Sequence, residues 1–281
     1  MAGFFGLFNY AKEGPGIEKD APQKKTFIVF FETFFRNFWK FIPINLVFCL
    51  LSFPIITNGL ASAGLTNVVR NIARDKHSFG LSDFWETISK NWKQALPSGI
   101  INFFVYLVLV FDVWFFYTTM NGIMSAVAMG LCIFFLFVFT VMNYYISTMI
   151  ITFRFKLSQI YKNSFKFVFL NFKNNILCFI CTTLVYALFF AVAYFWGNFT
   201  VSMVEFILLV CCVPAFVFLM TQYFIFPSIK KYIIDPYYLE HPNDDIDERR
   251  NLGIEIENTE QNAETEESET TSLPDAAADN D

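Results

Sequence analysis

Four apolar runs of about 20 residues each, the length of an α-helix that crosses a hydrocarbon core, limit what this chain can fold into. They extend approximately over 98–117, 123–148, 176–196 and 201–226. A fifth run, within 41–64, contains "NLVFCLLSFPIITNGLASAG", where Pro54, Asn58 and Gly59 interrupt it near its middle. Of the 281 residues 55% are hydrophobic, a composition that a bilayer accommodates and a water-soluble core does not. The expected fold class is therefore all-α: a polytopic membrane protein of about five transmembrane helices, with a Pro-broken first segment and amphipathic helices at the interface.

Charge is distributed unevenly. Before Asp235 there are 18 Lys and Arg against 9 Asp and Glu; from Asp235 onward there are 2 against 16. This divides the chain into a polar segment over 1–26, a helical membrane domain over 27–234 and an acidic tail over 235–281, expected to be disordered. The start has no basic residue ahead of its short apolar patch and no small-residue cleavage pattern, so it is expected to be retained.

The connections between spans alternate in charge. Segments 118–122 and 197–200 carry no Lys or Arg, whereas 154–173 holds Arg154, Lys156, Lys162, Lys166 and Lys173 without an acid. By the positive-inside rule the basic loop is cytoplasmic, which makes 70–93 and the C-terminus cytoplasmic too. The first segment strains this scheme. A single crossing, slightly preferred, leaves Lys12, Lys19, Lys24, Lys25, Arg36 and Lys40 outside; a double crossing carries Asn58, Thr66, Asn67 and Arg70 through lipid; a re-entrant break needs surrounding protein or a water-filled cavity.

Just before it, "TFIVFFETFFRNFWK" sets Phe27, Phe30, Phe31, Phe34, Phe35 and Phe38 at helical spacing, with Glu32, Arg36 and Lys40 opposite, which predicts an interfacial helix. A shift of 80 residues superposes Arg74 on Arg154, Lys76 on Lys156 and Asn91-Trp92-Lys93 on Asn171-Phe172-Lys173, a pattern that suggests parallel internal repeats.

Signs of chemistry are sparse. No phosphate-binding loop, nucleophile elbow or metal-spaced His pair occurs, so no enzymatic activity, cofactor or metal is expected. All six cysteines lie in apolar runs, and Cys178 and Cys181, although a C-x-x-C, lack further ligands, since His77 and His241 fall outside the spans. Asp112 and Glu205 are the candidate intramembrane polar groups, both near the outer surface, where solvation is cheap. Two basic amphipathic stretches, "SDFWETISKNWKQAL" and "YKNSFKFVFLNFKNN", offer Trp85, Lys90, Trp92, Lys93, Lys162 and Lys166 for anchoring to anionic lipid or for docking a cytoplasmic partner. Membrane lipid is the standing partner, and nothing points to nucleic acid.

The G-P-G turn at 14–16, Lys19-Asp20-Ala21-Pro22 with its basic run, the Arg36 to Trp39 patch, Ser52-Phe53-Pro54-Ile55-Ile56-Thr57 and Asn91-Trp92-Lys93 together resemble the YesL-like family of bacterial integral membrane proteins, whose function is unknown. The resemblance spans about 8–232 in order and hydropathy, with its motifs concentrated in the first hundred residues; the acidic tail departs from it. It implies a multi-pass protein of the bacterial plasma membrane, often encoded beside carbohydrate importers of the ATP-binding-cassette type, and carries over no catalytic residue. The expected function is an accessory or regulatory component of carbohydrate uptake that contacts an importer permease or its ATPase. The alternative is a stand-alone transporter or channel for a small solute, which requires a central polar cavity.

Overall fold

The computed structural model describes residues 26–240 apart from 77, 120, 121 and 197. All regular structure among them is helical: α1 (Thr26–Arg36), α2 (Phe38–Ser52), α3 (Asn58–Ala73), α4 (Leu81–Thr119), α5 (Ile123–Thr152), α6 (Leu157–Leu170), α7 (Phe172–Trp196), α8 (Phe199–Cys211), α9 (Val213–Ile229), a π-helical turn (Lys230–Ile234) and α10 (Asp235–Glu240). Four of these helical stretches, α4, α5, α7 and α9 with its continuation to Tyr238, are long and apolar enough to cross a membrane; α1 and α2, bent by 77° at Asn37, make a fifth if taken together. The chain is an all-α polytopic membrane protein.

The broken first segment turns back on itself: α2 and α3 form a hairpin and not one continuous helix over 41–64. Between α2 and α3 the chain reverses over residues 53–57, where the Thr57 hydroxyl donates to the Leu51 carbonyl and the Asn58 N–H donates to the Ile55 carbonyl at 3.0 Å. At the other end of this hairpin Arg36 pairs with Asp75. Phe34, Phe41 and Ile44 pack on Leu65, Val68, Val69 and Ile72 of the returning helix. Entry and exit thus share one end of the molecule, so Arg36 and Lys40 join Arg70, Arg74 and Lys76 there. The reversal removes the charge conflict that one crossing creates.

The phenylalanine-rich helix is less interfacial than its periodicity predicts. Phe30 and Phe34 are buried, each with its ring 5.1 Å from that of Phe216 in α9, while Phe27 and Phe35 remain exposed. The two basic amphipathic stretches also differ from separate surface helices. The first runs without a break into α4, 39 residues in all, and the second is α6 followed by the start of α7, interrupted at Asn171.

At the centre lie α3, α5 and α9. Within the apolar stretch of α9, 61% of residues are buried, against 6% for that of α4, so α9 is enclosed by protein while the apolar stretch of α4 is largely uncovered. Helix α4 runs antiparallel to α3: Gly64 meets the Phe84 ring, and Gly59 meets Ala95 and Gly99. It also runs antiparallel to α5, with Tyr106 stacked edge-on to Phe139 at 5.0 Å and Ser125 donating to the Phe116 carbonyl.

The last apolar run, expected as one helix over 201–226, is two. Cys212 leaves the helical region at φ −123° and ψ −42°, and Pro214 in the first turn of α9 has no N–H to give. The backbone groups freed by this break are taken by Asn45 of α2, which is fully buried: its amide donates to the Cys211 carbonyl at 2.6 Å and its carbonyl accepts the Ala215 N–H at 2.9 Å. One side chain thereby fastens the hairpin to both halves of the broken helix. Asn45→Leu keeps the volume but strands a donor and an acceptor, so it is expected to cost about 2–4 kcal/mol. A thermal melt of the purified variant in detergent checks this, and an unchanged midpoint would contradict it.

The acidic tail, read from Asp235 onward, begins as a helix: α10 continues the π-helical turn and buries Tyr238. The remainder of the tail, the segment before Thr26 and both histidines, His77 and His241, lie outside the described residues.

Candidate functional site

A cavity of about 540 Å³ sits where α3, α4, α5, α7 and α9 meet, with Phe48 of α2 and Ile55 of the hairpin turn at its edge. Its walls mix polar and apolar side chains and carry no charge. Asn58, Ser62 and Thr66 come from α3; Ser98, Asn102 and Tyr106 from α4; Thr140, Asn143, Tyr144 and Ser147 from α5; Thr182, Thr183 and Tyr186 from α7; Thr221 and Gln222 from α9. Phe103, Phe179 and Phe218 add aromatic surface.

These side chains are held by one another across helices. Tyr161 of α6 donates to the Asn102 carbonyl at 2.7 Å; the Asn102 amide donates to the Asn143 carbonyl; the Asn143 amide donates to the Phe139 carbonyl at 2.9 Å and reaches the Tyr106 oxygen at 3.4 Å; Tyr106 in turn donates to Thr140 at 3.3 Å. On the facing wall the Tyr144 and Thr182 hydroxyls are 2.7 Å apart, and the Gln222 amide donates to Thr148 at 2.9 Å. The Gln222 Oε1, buried, has no partner. A network in which each member fixes the next presents oriented donors and acceptors to whatever enters.

Two of the three break residues belong to this site. Asn58 and Gly59 both line the cavity, while Pro54 is exposed at the hairpin tip. Gly59 is there for close approach: a Cβ built on it would sit 2.6 Å from the Gly99 nitrogen and closer still to the Ala95 carbonyl oxygen. A Cβ on Gly99 would likewise meet the Gly59 nitrogen at 2.7 Å and the Ile56 oxygen at 2.8 Å. The hairpin tip therefore rests backbone to backbone on α4, and this contact forms one wall. Beside it Ile55 holds φ at 61°, a left-handed conformation that is costly for a β-branched residue and that the turn enforces.

The other residues singled out in the sequence lie elsewhere. Asp112 is half-buried on α4 and away from the cavity walls; Glu205 lines a separate apolar groove of about 340 Å³ between α7 and α8, with Leu188, Phe189 and Val204. Trp85 and Trp92 are about half exposed on the basic end of α4, Lys90 pairs with Glu86 at 2.6 Å, and Lys93 is exposed. Lys162 and Lys166 are exposed on α6. Tyr161, beside Lys162 in the second basic stretch, turns inward to the cavity network. Cys178 is buried, and the described residues hold no cluster of three metal-ligating side chains.

The residues that sequence reasoning passed over are Asn102, Asn143 and Gln222. Each is a single amide in a long apolar run, followed by two aromatic residues: Asn102-Phe103-Phe104, Asn143-Tyr144-Tyr145 and Gln222-Tyr223-Phe224. An uncharged amide inside a span seeks a partner on another helix, which is the signal that marks such positions.

Residues 41–113 match the profile of a family described as protein of unknown function, DUF624. The match falls within the stretch of about 8–232 over which the motifs resemble the YesL-like family. The matched stretch holds α2 from Phe41, the hairpin turn, α3 and most of α4, including Asn58, Gly59, Gly99 and Asn102. No curated protein and no solved structure matches the chain.

Proposed function

We propose that the protein is a transporter of the bacterial plasma membrane that takes a small, uncharged, polyhydroxylated solute of the carbohydrate class into the central cavity, with the basic end and the C-terminus in the cytoplasm. The observation that carries this reading is a cavity of ligand size whose walls combine hydroxyls, amides and aromatic rings without a charge. A charged solute there would forfeit its hydration without a counter-ion, whereas a polyol or monosaccharide exchanges water for side-chain hydrogen bonds. Aromatic faces suit the apolar faces of a sugar ring. The orientation rests on the clustering of Arg36, Lys40, Arg74, Lys90, Arg154 and Lys230 at one end of the bundle, the bias that marks cytoplasmic segments.

The test is uptake by liposomes reconstituted with the purified full-length protein, using a panel of labelled neutral monosaccharides and polyols beside carboxylated analogues. Saturable uptake of a neutral member, absent from protein-free liposomes, is the expected result. Uptake of none of them contradicts the reading.

A second reading, an accessory component of an ATP-binding-cassette importer, draws on the exposed Trp85 and Trp92 flanking Lys90 and Lys93 on the basic end of α4. It predicts that Lys90→Glu with Lys93→Glu abolishes co-purification of an importer permease or ATPase from native membranes. Autonomous transport predicts that the same double variant inserts normally and retains its uptake.

A further inference from the structure

One helical turn beyond the cavity, the three core helices carry a second polar layer. Thr66, Thr148 and Gln222 close the cavity toward the basic end; four residues further on stand Arg70, Thr152 and Phe226. Arg70 donates through Nη1 to the Thr152 hydroxyl at 2.6 Å and through Nη2 to the Asn67 carbonyl at 2.9 Å, and Asn67 is fixed in turn by donating to Thr87 at 2.7 Å. Arg74 lies with its guanidinium 3.7 Å over the Phe226 ring.

Three donor nitrogens of this pair, Nε of Arg70 with Nε and Nη2 of Arg74, are sealed from solvent and have no acceptor among the described residues. Neither arginine forms an ion pair among the described residues; the nearby Asp75 is engaged by Arg36. Two like charges four residues apart on one helix repel, and buried guanidinium groups without a counter-ion are strongly disfavoured. Burial first, and then the charge of Arg70, pull Arg74 down to about 9; Lys76 is lowered for the same reasons, by burial and then by Arg74 and Arg70. Among the described residues none of these three cations has an ion-pair partner.

We propose that Arg70 and Arg74 form a binding site for a phosphate group, supplied either by an anionic lipid headgroup or by a soluble phosphate. The guanidinium fork matches a tetrahedral oxyanion with paired N–H donors, and an anion bridging the two residues satisfies the orphaned donors and removes the repulsion together. The ends of α3, α5 and α9 place the site at the basic end of the bundle. This inference is independent of the solute in the cavity: it concerns a charged layer with its own donors and needs no transport.

The experiment is a thermal melt of the full-length protein, stripped of lipid in an uncharged detergent at constant ionic strength. Inorganic phosphate is added in one arm, phosphatidylglycerol in a second and an uncharged glycolipid in a third. A midpoint rise of several degrees in the phosphatidylglycerol arm alone assigns the site to a lipid headgroup; a rise with inorganic phosphate assigns it to a soluble anion. In both cases the double variant Arg70→Gln with Arg74→Gln loses the rise, while Lys162→Gln with Lys166→Gln keeps it. Should the double variant fail to fold, Arg74→Met decides: removing an unneutralised charge raises the midpoint without phosphate and abolishes the response to it. No rise in the first two arms, an equal rise with the glycolipid, or a response that survives these arginine substitutions overturns the proposal.

Discussion

Gly59→Leu is expected to unseat the α2–α3 hairpin from α4 and to lower the melting midpoint of the protein by about 6–12 °C, the equivalent of about 3 kcal/mol. The magnitude follows from what the new side chain meets. In an ordinary overpacked core a neighbouring side chain changes rotamer; here the neighbours are the Ala95 carbonyl and the Gly99 backbone, which move only if a whole helix moves. Gly59→Ala is expected to show the same defect more weakly, because even one methyl group falls inside van der Waals contact. Gly130→Leu is the matched control, since a Cβ there meets nothing within 4 Å. A midpoint for Gly59→Leu within a degree of the control would show that the hairpin does not rest on α4. Because Gly59 also lines the cavity, solute binding is expected to fall with the midpoint.

Asn143→Leu is expected to weaken solute binding by about 10- to 100-fold while the bundle stays folded. Asn143 is the centre of the network: it accepts from Asn102, donates to the Phe139 carbonyl and reaches Tyr106. A leucine of similar volume removes those links and leaves the Asn102 amide without its acceptor. The Phe139 carbonyl keeps its place in the ladder of α5, so the helix itself persists. Two orientations are lost together, those of Asn102 and Tyr106, and the fold-change is the cost of about 1–3 kcal/mol for buried polar groups that no longer meet a ligand correctly. Isothermal titration of a neutral solute into wild type and variant, with circular dichroism to confirm helix content, makes the comparison. Equal affinities would remove Asn143, and the network it centres, from the site.

How far these features were legible depended on how local they are. Helices α4, α5 and α7 follow from apolar runs long enough to span a bilayer, and the basic end follows from the positions of Lys and Arg. The hairpin did not follow, because a Pro-Gly interruption reads alike for a kink, a re-entrant loop or a full reversal. What separates them is the contact of Gly59 with Gly99, forty residues away, together with the Arg36–Asp75 pair at the open end. The division of the last run into α8 and α9 is similar: Pro214 announces strain, but the group that resolves it, Asn45, sits in α2. Charge drew attention to Asp112 and Glu205, which stand apart from the cavity, whereas the polar groups that line it are neutral amides and hydroxyls that hydropathy averages away. Of the break residues, Asn58 and Gly59 belong to the cavity because the turn delivers them there.

Equilibrium binding of a neutral monosaccharide panel to the purified full-length protein, read by the heat of titration and repeated with Gln222→Leu, is the most direct test that the central cavity is a solute site. Gln222 lines the cavity, donates to Thr148 and has a buried Oε1 without a partner, so its loss disturbs the cavity wall at one defined point. Saturable binding of at least one neutral solute to the wild type, weakened at least tenfold in Gln222→Leu, with no binding of the carboxylated analogue, is the expected result. A panel that leaves the wild type silent, or binding that Gln222→Leu leaves intact, would contradict it.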